Sequence, residues 1–298
     1  MSLLLPIRDG VSPSYVWLPA GSWASVLDFL VQRFPHVDAH TWRARMSCGE
    51  VQDQQGRCIT PDSPYREGLC VFYYRELEKE TPIPFEESIL YQDEHLLVAD
   101  KPHFLPVIPG GRFLHETLLV RLKRKTGLQN LTPIHRLDRE TAGVIVFSVD
   151  QKSRGLYQAL FRDKAVVKIY EALAPHLPHA HFPLTYRSRL ERGKDFFRSD
   201  EVEGAPNAET VVDLVERRGA LSLYRLNPVT GKKHQLRVHM AALGAPIAND
   251  ALYPEALPVN DDFSKPLQLL ARSVVFTDPL SGKNREFIST RVLQGLDK

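Results

Sequence analysis

The chain has 298 residues, of which 43% are hydrophobic and 25% charged, the composition of an ordinary globular protein with one large domain and a small companion, or two medium ones. A formal net charge of +2 is too mild to mark a nucleic-acid binder, so any such binding must come from local patches. Cys48, Cys58 and Cys70 are odd in number and lack Cys-x-x-Cys spacing, which argues against a disulfide framework or zinc ribbon. With no apolar run near the roughly 18 residues of a membrane helix and an apolar start too short for a secretory signal, the reading is a soluble, cytoplasmic protein with reduced thiols.

Residues 1–20 carry Pro6, Pro13 and Pro19 and read as an extended arm. Ser22 is a plausible N-cap for a helix reaching about Phe34, whose Trp23, Val26, Leu27, Leu30 and Phe34 recur at spacings of three and four. Asp38 caps a second short helix with Trp42, Arg43, Arg45 and Met46. Two strand-like pieces, 50–52 and 57–60, meet at Gln54-Gln55-Gly56, and Leu69 to Tyr74 forms a further strand. Glu76 to Phe85 is charged and Pro-bearing, as a linker is, which sets a boundary near 80 and units of 1–80 and 81–298.

The second unit opens with strands at Ile89-Leu90-Tyr91 and Leu96 to Ala99, followed by Asp100-Lys101-Pro102 and the loop Gly110-Gly111-Arg112. That loop could cradle a phosphate, but it lacks the strand-to-helix setting that makes such a signal specific. A helix over 115–126 carries Arg121, Lys123, Arg124 and Lys125, most simply a solvated face or else one wall of an RNA path. His135-Arg136-Leu137-Asp138-Arg139-Glu140-Thr141-Ala142-Gly143 then feeds the apolar run Val144 to Phe147, which reads as an interior strand. Burial would raise the pKa of Asp138 and the flanking arginines would lower it. If an arginine wins, Asp138 is an ionised carboxylate able to attack an electrophilic carbon; otherwise the stretch is a surface ion-pair cluster of little energetic weight.

Residues 151–162 read as a helix, and Val166 to Ala172 alternates as a strand. Thr210 to Val215 and Leu221 to Leu226 suit an antiparallel sheet with one face covered. In Gly231-Lys232-Lys233-His234-Gln235-Leu236-Arg237-Val238-His239-Met240, continuing to Gly244, Leu236, Met240 and Leu243 share one helical face, and Gly244 before Pro246 stops the helix.

Three of these stretches together resemble the RluA-type pseudouridine synthases. The first matches the pattern His-Arg-Leu-Asp-x-x-Thr-Ser-Gly with Ala142 in place of Ser. Lys168-x-Tyr170-x-Ala172 looks like the second motif, and residues 231–240 resemble Gly-Arg-Thr-His-Gln-Ile-Arg-Val-His-Met with lysines at 232 and 233. Asp-Lys-Pro ahead of Leu105-Pro106-Val107, and Asn249-Asp250-x-x-Tyr253, follow the same family pattern.

The resemblance implies an α+β fold, with a mixed, mainly antiparallel catalytic sheet and a small N-terminal S4-like domain. That domain would bind RNA through a thin basic face of His36, His40, Arg43 and Arg45; a purely structural role for it is the competing reading. The family's activity is the conversion of uridine in structured RNA, ribosomal or transfer, to pseudouridine after the base is flipped out. Asp138 would be the catalytic carboxylate, Arg237 its partner and Tyr170 the active-site tyrosine, packed on the base and a candidate for proton abstraction. The competing reading of Tyr170 is a core aromatic with its hydroxyl at the rim. Leu236 would lie beneath the base and Arg136 fill the vacated stack, with His135, Arg139, Lys232 and Lys233 as further RNA contacts. Nothing in the reaction is reduced, hydrolysed or transferred from a second substrate, so the resemblance implies no cofactor, no metal and no nucleotide. RNA is the partner, and a monomer is the default. Two other classes compete with this reading: a non-catalytic RNA-binding or ribosome-assembly protein, which an intact Asp138, Tyr170 and Arg237 set opposes, and a phosphotransferase, which lacks its glycine loop and Asp-Phe-Gly here.

Overall fold

The computed structural model describes residues 5–294 apart from 78, 194, 196 and 259–261. The start of the expected arm, residues 1–4, and position 78 of the expected linker lie outside the described residues.

The first sheet has the order β1-β3-β2, from β1 (Ser14–Trp17), β2 (Val51–Asp53) and β3 (Cys70–Tyr73), and is backed by α1 (Val26–Arg33) and α2 (Ala39–Ser47). Its core of Leu18, Val26, Phe29, Leu30, Trp42, Met46 and Val71 is separate from the cores of the rest of the chain. Three details depart from the sequence reading. Ser14–Trp17 is no loose arm but an edge strand paired to β3; the five residues between Pro13 and Pro19 are too few for alternation to be read. The N-cap of α1 is Ser25, not Ser22: its hydroxyl accepts the Asp28 N–H at 3.1 Å while the Asp28 carboxylate accepts the Ser25 N–H at 3.0 Å, a closed reciprocal pair. Residues 57–60 form only one bridge, Gln52 to Cys58, because Asp53 gathers the N–H groups of Gln55 and Arg57 at 2.8 and 3.0 Å and curls the chain into a turn.

The described residues of 76–87 carry no helix or strand, yet they are held. Glu80 accepts the N–H groups of Leu114, His115 and Glu116 at 2.6, 2.9 and 2.9 Å. The charged run expected to face solvent is a docking face. Arg121 donates to the carbonyls of Phe85 and Ile83 at 2.7 and 2.8 Å, Arg124 to that of Asp9 at 2.8 Å, and Lys123 to Ser12 Oγ at 3.3 Å.

The second sheet comprises β4 (Ser88–Gln92), β5 (Leu96–Lys101), β6 (Thr132–Pro133), β7 (Ala142–Ser148), β8 (Val167–Pro175), β9 (Leu184–Arg192), β10 (Ser199–Val202), β11 (Ala208–Arg218), β12 (Leu221–Pro228), β13 (Leu269–Thr277) and β14 (Asn284–Ile288), with α3 (Leu118–Thr126), α4 (Arg154–Arg162) and α5 (Gln235–Ala242) on its faces. Its main path runs β10-β9-β11-β12-β8-β13-β7-β5-β4, with β14 on β13 and β6 on β7. Every pairing is antiparallel except β13 with β7, the mixed, mainly antiparallel α+β architecture the sequence implied. β5 and β7 are buried on both faces: Leu97, Ala99, Ile145 and Phe147 pack with α3, and Leu96, Val98, Val144 and Val146 with Tyr157 of α4. That is why their sequences are unbroken apolar runs.

One row of this sheet sets the site. Ala271 of β13 pairs with Tyr170 of β8 on one side and with Gly143 of β7 on the other. Gly143 has φ of +112°, and a Cβ there would run into the Ala271 backbone; glycine is what lets β7 approach. Gly143→Ala is therefore expected to cost about 3 kcal/mol or more, read as a fall in the urea midpoint, whereas an unchanged midpoint would mean that the strands have slack here.

Candidate active site

A cleft of about 400 Å³ opens between the loop ahead of β7, the start of β8, the loop after β12 and the first turn of α5. Asp138 stands in it with its side chain 20% exposed. Two groups face the carboxylate without touching it: Arg237 Nη1 at 3.8 Å from Oδ2, and His234 Nε2 at 3.7 Å from Oδ1.

Arg237 has a tighter partner. Its Nε and Nη2 donate to Asp250 at 2.8 and 2.6 Å, both side chains being 1% exposed. Asp250 also accepts the N–H groups of Leu252 and Tyr253 at 2.8 and 3.1 Å. Burial opposes the guanidinium charge, but Asp250, then Asp138 and Glu140, outweigh it and hold Arg237 above its usual range. Nη1 is buried without a hydrogen-bond partner and lies 3.8 Å from both Asp138 and Glu140. The expected Asp138–Arg237 pairing is thus present, but long and secondary.

For Asp138 the structure decides between the two opposed effects that the sequence left open. Burial raises its pKa more than Arg237, Arg136, Lys101 and Lys233 lower it, so the carboxyl titrates above the ordinary carboxylate range. Tyr170 is pushed up by burial and then by Asp138, which keeps its phenol protonated. His234, left-handed at φ 56° at the N-cap of α5, is brought down to about 3 by burial and Arg237 and is neutral. Its Nδ1 bonds the Tyr253 hydroxyl at 2.9 Å, and that hydroxyl accepts the Ser199 N–H at 2.8 Å.

Lys101 supports the loop from below. It ends β5 fully buried and donates to the carbonyls of Pro102, Leu105 and Arg139 at 3.0, 2.9 and 2.9 Å. Burial brings its pKa down to about 7 against the pull of Glu140 and Asp138. Because Arg139 follows Asp138 directly, this anchor fixes where the carboxylate begins.

Of the residues singled out in the sequence, Asp138, Tyr170, Arg237, Arg136, Leu236, His135, Lys232 and Lys233 all line this cleft. His135 is taken up in packing: its ring stacks on Phe161 at 4.5 Å and its Nε2 accepts the Val146 N–H at 3.1 Å. Arg139 is not brought into the cleft. It pairs with Glu140 at 2.9 Å, lies over the Phe113 ring and lines a neighbouring cavity. Sequence reasoning gave no role to Asp250, His234, Tyr253 or Lys101. Asn249-Asp250-x-x-Tyr253 and Asp-Lys-Pro stood out as patterns, but nothing local says what they contact.

A carboxylate with a guanidinium, a neutral imidazole, a protonated phenol and an apolar floor, in a cleft rich in lysine and arginine, suits chemistry on a nucleotide. The comparisons agree. The family model for RNA pseudouridylate synthase matches residues 95–242. A dual-specificity RNA pseudouridine synthase RluA of Haemophilus influenzae is 31% identical over 214 residues, 71% of this chain and 96% of its own. The tRNA pseudouridine(31) synthase of Saccharomyces cerevisiae is 30% identical over 187 residues, 56% of this chain and 46% of its own. Among solved structures, human RNA pseudouridylate synthase domain containing 4 matches with a TM-score of 0.52 and 29% identity, over 70% of this chain and 88% of that one. The chain belongs to the RNA pseudouridylate synthase family, of RluA type. It is an enzyme that isomerises uridine in RNA.

Asp250→Asn leaves Arg237 with its charge and takes away its principal counter-ion. The expected loss is about 3–5 kcal/mol of stability, measured by urea unfolding, with a parallel loss of turnover. Full stability in the variant would show that Asp138 and Glu140 alone can hold the guanidinium.

Proposed function

We propose that Asp138 is the group that acts on the ribose, that Arg237 and Tyr170 position it and the base, and that the substrate is a uridine of transfer or ribosomal RNA. The observation that supports this best is the convergence of Asp138, Tyr170, Leu236 and Arg237, from four distant stretches of chain, on one cleft. In the reaction the N1–C1′ bond breaks, the uracil turns, C5 bonds to C1′, and the C5 proton leaves while N1 gains one. Asp138 either attacks C1′ or removes the C2′ proton to give a glycal; both routes need the ionised carboxylate, and the geometry is common to both. Leu236, nearly buried on the cleft floor, underlies the base. Tyr170, held as a neutral phenol, packs against it and donates a hydrogen bond; it does not serve as the resting-state base. Arg136, exposed at the rim, takes the place of the extruded base.

The N-terminal unit, residues 1–80, is given an ancillary contact with the RNA backbone. Its basic face is thin, since Arg45 turns to Glu76 at 2.8 Å and leaves Arg43 as the exposed cation of α2. Among the described residues no helix is long and apolar enough to cross a membrane, and all three cysteines are free thiols. A monomer acting in the cytoplasm accommodates both.

Two outcomes follow for Asp138→Asn. Tritium release from RNA labelled at uracil C5 is expected to fall by about 10²- to 10⁴-fold or more; release at the native rate would remove Asp138 from the chemistry. The second outcome concerns pH. A carboxyl raised by folding binds more protons in the native than in the unfolded state between its two pKa values, so its stabilising contribution is lost as pH rises through the folded value. Native Asp138 therefore destabilises the fold at neutral pH, and asparagine, a neutral isostere, does not. The variant is expected to melt above the native protein at pH 7.5, the gap closing as pH falls below the ordinary carboxylate range. The turnover of the native enzyme declines at acid pH through the same raised value.

A further inference from the structure

One wall of the cleft includes a strained lysine. α4 closes with the Ala165 N–H on the Leu160 carbonyl at 2.8 Å and the Lys164 N–H on the Phe161 carbonyl at 3.4 Å, which requires a left-handed residue between them. Lys164 is that residue, at φ 59°. After α2, α3 and α5 the corresponding left-handed position is glycine: Gly49, Gly127 and Gly244, at φ 71, 74 and 84°. A side chain is disfavoured there, and this one lines the cleft. Strain retained beside a functional cleft is a pointer to use.

Its surroundings are anion-seeking. Among the described residues lining the cleft, seven are lysine or arginine and one, Asp138, is a carboxylate, in a chain whose net charge is only +2. Lys168, half-buried, holds its ammonium 3.4 Å from the Thr230 carbonyl; burial, then Lys164, depresses its pKa. The nearby carboxylates are already engaged: Asp163 accepts from Arg162 at 2.8 and 3.0 Å, and Glu209 from Arg187 at 2.9 and 3.3 Å. Two ammonium groups that repel each other in a walled cleft are stabilised by an anion placed between them.

We propose that Lys164 and Lys168 bind the phosphodiester of a nucleotide adjacent to the reacting uridine, so that the cleft is a two-nucleotide site. This rests on the reading of Asp138 as the end at which the uridine turns over. The ligand is an RNA phosphate, held by charge without base choice.

The test uses the full chain and a fluorescein-labelled oligouridylate of about ten nucleotides, followed by anisotropy across a salt series. Lys164→Gly is expected to weaken binding about 3- to 10-fold and to flatten the dependence of log K on log salt by about 0.7, the value of one single-strand phosphate contact. Its melting temperature should rise, because the strain is removed. Lys164→Arg should keep native affinity, and Lys168→Met should flatten the salt dependence as Lys164→Gly does. Affinity and salt slope both unchanged in Lys164→Gly would overturn the proposal. So would inorganic phosphate competing as well as the oligonucleotide per phosphate, since the site would then be a simple anion hole. The two readings fail separately. If Asp138→Asn abolishes turnover while Lys164→Gly binds as the native chain does, only the phosphate site is lost. If Lys164→Gly weakens binding while Asp138→Asn still converts uridine, only the catalytic assignment is lost.

Discussion

The buried Arg237–Asp250 pair is what the rest of the site leans on. A guanidinium cannot be neutralised by losing a proton, so burying one demands a counter-ion with close, directional contacts. Asp250 supplies both of them and is itself saturated by the backbone that follows it. With its charge compensated from one side, Arg237 can present Nη1 to Asp138 from the other without gripping it. That separation has a chemical value. A carboxylate locked into a bidentate pair has its lone pairs occupied and its pKa depressed. One standing 3.8 Å away keeps its oxygens available, and the guanidinium still stabilises the anion that forms.

The main sheet turns this electrostatic arrangement into fixed geometry. Gly143, Ala271 and Tyr170 form one cross-strand row, so the start of β7, just beyond the Asp138 loop, and the tyrosine in β8 are separated by the width of a single intervening strand. Lys101 ties the same loop, through the Arg139 carbonyl, to the Pro102 and Leu105 carbonyls that follow β5. Both devices are costly in isolation, one as a strand glycine and the other as a buried ammonium, and both act on the segment that carries the carboxylate. The stretch that carries Asp138 is thus defined from three sides: by β13 packing, by the lysine anchor and by Arg237.

What could be read in the sequence was what repeats locally. The unbroken apolar runs of β5 and β7, the alternation of β8 and the apolar face of α1 all surfaced through periodicity, and Asp138, Tyr170 and Arg237 through three short patterns. Partners far apart in the chain had no such signal. Nothing around Asp250 indicates that its side chain closes on Arg237, and nothing around Lys101 indicates three carbonyl acceptors. The sign of the Asp138 shift was equally hidden, because it is a difference between burial and several charges at distances only the fold defines. Arg139, named with the RNA contacts, lies outside this cleft beside Glu140, because successive residues of a tight loop point different ways and the sequence does not say which. The N-terminal arm failed for a simpler reason, since Ser14–Trp17 becomes a strand only by pairing with β3.

The charge distribution links these observations. A chain of net charge +2 that binds a polyanion must concentrate its cations, and here they line the same cleft as the one carboxylate that burial has made reluctant to ionise. Those cations act twice, drawing phosphate and lowering the energy of the Asp138 anion. An RNA backbone seated among them would cancel part of the second effect and push the carboxyl further up. The surface lysines, open to solvent and to phosphate, are the part that is cancelled. Arg237 keeps its influence because its charge is sunk beside Asp250 and faces Asp138 from within the protein. On the proposed assignment, a buried arginine opposite the acid, rather than one more lysine at the rim, is what would keep an ionised Asp138 within reach once RNA is seated.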